Sequence, residues 1–98
     1  LPTADVIIDE VCKFYNIDPA TLRGQGRSKD ISLARQISMY LIRRMTNLSL
    51  KEIGREFDNR DHTTVLHSIE RIEDLSKNDP EKAEIIKDII ANINSRYE

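Results

Sequence analysis

The segment RDHTTVLHSI, Arg60 to Ile69, holds the densest set of side chains able to do chemistry. Arg60, Asp61, His62, Thr63 and Thr64 follow one another without an apolar interruption, and the spacing behind them predicts a helix. A helix start ordinarily carries one capping residue and then its apolar stripe. Here it offers a guanidinium, a carboxylate, an imidazole and two hydroxyls. Metal ligation does not fit, because His62 and His67 are five apart, about 140° around a helix, and cannot share an ion as an i, i+4 pair would. Cys12 has no Cys or His near it in sequence. Asp61-His62-Thr63 matches a nucleophilic triad in composition alone, since adjacent residues on a helix diverge. No Walker sequence and no glycine-rich strand-to-helix turn is present to cradle a phosphate. Neither catalysis nor a metal accounts for the cluster.

The elements that must position it are all helical. With Ile69 as the middle of a core stripe and about 100° per residue, Val65, Leu66, Ile72 and Ser76 fall inward. Arg60, Thr63, Thr64, His67 and Arg71 fall on the opposite half, whereas His62 lies near the stripe, as a boundary residue would. Ahead of this helix, Ser49-Leu-Lys-Glu52 matches a capping box and opens a short helix to about Phe57, with Ile53 and Phe57 facing inward. Asp58-Asn59-Arg60 joins the two, with Asn59 suited to a left-handed turn position. Short helix, three-residue turn and longer helix is helix-turn-helix spacing, here over about residues 49–78.

The remaining chain reads the same way. Thr3 caps a helix with apolar positions Val6, Ile7, Val11 and Phe14, and Asp18-Pro19 opens a short helical turn. A basic loop, Arg23 to Lys29, precedes a helix from about Asp30 or Ser32 to Met45, and Asp79-Pro80 starts an isoleucine-rich last helix. The expected fold class is all-α, a compact helical domain of 98 residues containing a helix-turn-helix.

Charge is uneven along the chain. Residues 23–60 carry nine basic and four acidic side chains, while residues 1–22 and 61–98 are both net acidic, so the overall −2 hides a basic middle third. No apolar run is long enough to span a membrane, and a single cysteine excludes an internal disulfide and fits a reducing cytosol. Because the chain starts at Leu1, it is expected to be a piece of something longer. The polar first turn beside a basic block suits major-groove readout: Arg to guanine, Asp to the cytosine amino group, Thr methyls to thymine methyls. A recognition helix also meets the bases with its N-terminal residues.

RDHTTV, together with TNLSLKEIGREFDN before it and the RQISMYL run at Arg35–Leu41, resembles the C-terminal DNA-binding domain of the DnaA replication initiators. The resemblance covers nearly the whole chain. It implies base contacts from Asp61, His62, Thr63 and Thr64 in the major groove of a DnaA box, with Arg27 of the basic loop in the adjacent minor groove. It implies backbone or supporting contacts from Arg35, Gln36, Arg43, Leu50 and Lys51, with Arg60 and His67 beside them. Arg35 and Gln36 are expected on phosphates. Many family members have Pro where this chain has Lys51, and Gly-Gly at Asp58-Asn59. Gln25 replaces a basic residue found in several.

The resemblance further implies a cytoplasmic, nucleoid-associated bacterial protein whose absent parts carry an AAA+ ATPase module. ATP and magnesium would bind there, leaving this fragment non-enzymatic and without a cofactor. Other protomers would be contacted through the absent domains, and acidic phospholipids by the intact protein, while the fragment is expected to bind double-stranded DNA as a monomer. Two other classes compete: a helix-turn-helix regulator with a palindromic operator, and a protein-interaction module using the acidic ends.

Overall fold

The computed structural model describes residues 1–98 as six helices. They are α1 (Ala4–Tyr15), α2 (Pro19–Arg23), α3 (Lys29–Met45), α4 (Leu50–Glu56), α5 (His62–Asn78) and α6 (Pro80–Ser95). Each begins at a side-chain cap: Thr3, Asp18, Ser28, Ser49, Asp61 and Asp79 accept from backbone N–H groups in the first turn that follows. Ser49 and Glu52 complete the reciprocal capping box. α3 starts slightly before the expected Asp30 or Ser32, because the Ser28 hydroxyl takes the Ile31 N–H at 3.3 Å.

α3 is the central element, packed against α5, α1, α2 and α4, and α6 closes the other side by lying on α5 and α1. Nineteen buried apolar residues form one cluster, with Phe57, Ile37, Met39, Leu41, Ile53 and Ile72 wholly enclosed. The chain ends are tied together, since Arg96 donates to Asp9 at 2.8 Å and to the buried Glu10 at 2.9 Å.

Two residues expected inside are not. Phe14 is 41% exposed because the buried stripe of α1 centres on Ile7, Ile8 and Val11, leaving Phe14 at its edge. Leu66 is 39% exposed, at the margin of an α5 stripe made by Val65, Ser68, Ile69 and Ile72. Ser76 is half-buried.

The join between α4 and α5 is where the backbone is most constrained. Asp58 and Asn59 both take left-handed conformations, φ 60° and 54°, which reverse the chain in two residues. The Arg60 N–H then returns to the Gly54 carbonyl at 3.0 Å. A Cβ on Gly54 would collide with the Arg60 carbonyl oxygen, so the glycine sets how closely the turn lies on α4.

Candidate nucleic-acid interface

Asp61, the N-cap of α5, accepts the Thr63 N–H at 3.0 Å with Oδ2, while its Oδ1 lies 3.6 Å from His62 Nδ1. One carboxylate oxygen is thus held by the helix and the side chain stays 65% exposed. His62 is also exposed. Its angle on the wheel points toward the core, yet its side chain, on the first residue of α5, is 57% exposed, beside Lys51 of α4 and Arg43 of α3. The boundary role expected from its angle is therefore corrected. Thr63, Thr64 and His67 are exposed, and their side chains have no hydrogen-bond partner within the chain. The first two turns of α5 present free donors, acceptors and methyl groups to solvent.

The rim is cationic. One concavity beside the α5 start is lined by Lys51, Arg55, Asn59, Arg60, Asp61 and His62, and a second by Arg43, Ser49, Leu50, Lys51 and His62. The only acid in either is Asp61. The end of α3, the start of α4 and the start of α5, separate in sequence, therefore meet here. Arg55 had no special standing in the sequence, and only the turn brings it to this surface. Arg71, expected on the outward face, donates to Gln36 Oε1 at 2.9 Å and so joins α5 to α3. Gln36 keeps its amide N–H groups available.

Not every basic residue of the middle third is available. Arg23 is committed to Glu56, at 2.8 Å, and to Asp5, at 2.7 Å. Arg43 donates to the Leu48 carbonyl, and Arg44 to the Tyr40 hydroxyl while lying over that ring. Arg60 donates to the Phe57 carbonyl at 3.1 Å; burial lowers its pKa, with Asp58 opposing the shift.

Arg35 departs furthest from expectation. It is 5% exposed, and its guanidinium donates to the carbonyls of Leu22 at 2.7 Å, Gly26 at 3.0 Å and Thr21 at 3.4 Å. Burial, then the nearby Arg60, lowers its pKa. The expected phosphate contact is corrected to a supporting one: Arg35 takes up the last carbonyls of α2 and anchors the loop that follows. Arg27, on that loop, is exposed and has no partner within the chain.

Fold and surface together define a helix-turn-helix module, α4 and α5, with a polar, cation-rimmed first turn on its second helix. Comparison with known proteins narrows this. Residues 4–72 match the family described as bacterial dnaA protein helix-turn-helix, and the chain belongs to that family. It is 52% identical over 75 residues to the chromosomal replication initiator protein DnaA of Synechococcus sp., covering 76% of this chain and 16% of that one. It is 43% identical over 90 residues to DnaA of Crocosphaera subtropica, covering 92% and 20%. A crystal structure of a DNA replication initiation factor superposes with a TM-score of 0.82 at 30% identity, over 95% of this chain and 29% of that one. The chain thus spans a fifth or less of these two curated relatives' length.

Proposed function

We propose that this domain binds double-stranded DNA at DnaA boxes and so targets an initiator to a replication origin. α5 enters the major groove, where Asp61, His62, Thr63 and Thr64 meet base edges. Arg27 enters the neighbouring minor groove from the basic loop. Lys51, Arg55 and Gln36 are assigned to the phosphates flanking these grooves, setting register and affinity more than sequence choice, and Arg60, held on the Phe57 carbonyl, supports the turn. Leu50 and Arg43 support the α4 start, and His67 extends the face one turn along α5. The observation that carries this reading is the unpaired state of the Thr63, Thr64 and His67 side chains at the surface of α5, whose start is lined by Lys51, Arg55 and Arg60.

Chemistry belonging to the rest of a DnaA protein, ATP with magnesium, contacts between protomers and association with acidic phospholipids, is assigned to segments outside these 98 residues. No helix here is long and apolar enough to cross a membrane. The direct test is fluorescence anisotropy of a labelled DnaA-box duplex and a scrambled duplex at one moderate salt concentration. Tighter binding to the box by ten-fold or more, roughly 1.4 kcal/mol, supports base reading. Equal binding reduces the surface to a phosphate-binding helix end, and binding to neither favours a protein-interaction module.

A further inference from the structure

The basic loop and the helix-turn-helix are far apart in sequence yet joined side chain to side chain. Gln25 Nε2 donates to Asp58 Oδ2 at 2.8 Å, and Arg60 donates to Gln25 Oε1 at 3.5 Å. Both polar ends of one amide are thus engaged by the turn that launches α5. The loop's other side is held by Arg35, whose guanidinium takes the Gly26 carbonyl at 3.0 Å. Gln25 and Gly26 are the two residues immediately before Arg27, which itself has no partner. Two departures from the family pattern, an acid at Asp58 and a neutral Gln25, are each other's partners.

We propose that Gln25 is a positioning residue, latching the loop to the α4–α5 turn so that Arg27 and the first turn of α5 are presented as one unit. This deepens the DNA reading above and rests on it. Groups presented on a rigid frame bind without first losing the freedom of the loop, so the latch acts on affinity before contact is made. The amide also occupies one carboxylate oxygen of Asp58, an acid already near the Arg60 guanidinium. Gln25 carries no charge, so its effect is independent of counterion release.

The test is a double-mutant cycle in the 98-residue chain, measured on box and scrambled duplexes, with Gln25→Ala, Arg27→Ala and the double variant. Gln25→Ala is expected to weaken box binding about 3- to 10-fold, the range of one net hydrogen bond, with the salt slope unchanged. In the Arg27→Ala background the same change is expected to cost less than about 2-fold, because there is no longer an arginine to position. Asp58→Asn, which keeps an oxygen for the amide to donate to, should retain box affinity, whereas Asp58→Ala should weaken it as Gln25→Ala does. An unaltered Gln25→Ala with a weakened Arg27→Ala overturns the latch and leaves the DNA reading intact. A Gln25→Ala loss that persists in full without Arg27 also overturns it. Equal wild-type binding to both duplexes overturns the latch and the box reading together.

Discussion

Replacing Arg35 with Ala should unfold the support beneath the loop rather than remove a phosphate contact. The side chain makes three N–H···O contacts to backbone carbonyls, two of them at 3.0 Å or less. A hydrogen bond from a charged donor contributes about 1.5–3 kcal/mol, so those two bonds supply roughly 3–6 kcal/mol. Keeping a guanidinium largely out of water offsets part of this, leaving a net cost of about 2–4 kcal/mol on truncation. A domain of this size has roughly 5–15 kcal/mol of stability in all, and each kcal/mol moves Tm by about 4–8 °C, so the variant should melt about 10–25 °C lower but remain folded at low temperature. Arg35→Lys should recover less than half of this, since an ammonium on a single stem cannot span the carbonyls of Leu22 and Gly26. The assay is thermal melting by circular dichroism, alongside box binding across a salt series. A melt within about 3 °C of wild type, with a salt slope smaller by about one, would refute the supporting role and restore Arg35 to the phosphates.

Thr64→Ala should cost about 1–3 kcal/mol on the box and flatten discrimination against scrambled duplex; an equal loss on both, by anisotropy, rules out a base contact. Gly54→Ala should destabilise by about 1–3 kcal/mol in urea melts, because its Cβ would displace the Arg60 backbone, and box preference should fall with it. Cys12 is 4% exposed and its thiol is pushed up to about 11, first by burial and then by Asp9 and Asp18. It should therefore resist a thiol reagent at pH 8 until denaturant is added, and rapid labelling of the native protein would contradict this burial. The hydrogen bond from Arg96 holds the Asp9 carboxyl below its ordinary 3.8, against partial desolvation, with Lys13 adding to the lowering. A depressed folded value stabilises above the ordinary value and is lost as pH falls through the folded one. The urea-midpoint gap between wild type and Arg96→Ala should accordingly be full at neutral pH and shrink in acid; a gap independent of pH would place the Arg96 contribution elsewhere.

How much of the interface was legible depends on how local its cause is. The caps at Thr3, Ser49 and Asp79 and the helix starts they set were readable because a cap and the N–H it accepts lie within three residues. The two left-handed residues were half visible: Asn59 was expected at a left-handed turn position, whereas Asp58 was not, although Asp also tolerates that conformation. His62 was misplaced by its wheel angle, because an angle says which way a side chain points and nothing about whether another helix extends far enough to cover it. Leu66 and Phe14 were misplaced for the same reason at the stripe margins.

Sequence alone determined the helices, the two-helix unit and the polar character of its second helix's first turn, all products of neighbours within a turn or two of one another. Tertiary structure decided which cations remain available. Arg23, Arg27 and Arg35 look equivalent in a basic stretch, yet one is paired to two acids, one is free and one is buried under three carbonyls. Those partners lie up to 33 residues away in the chain, and only packing α2 and α4 around α3 brings them within hydrogen-bonding reach. The same packing joins Gln25 to Asp58, which no periodicity could have foretold.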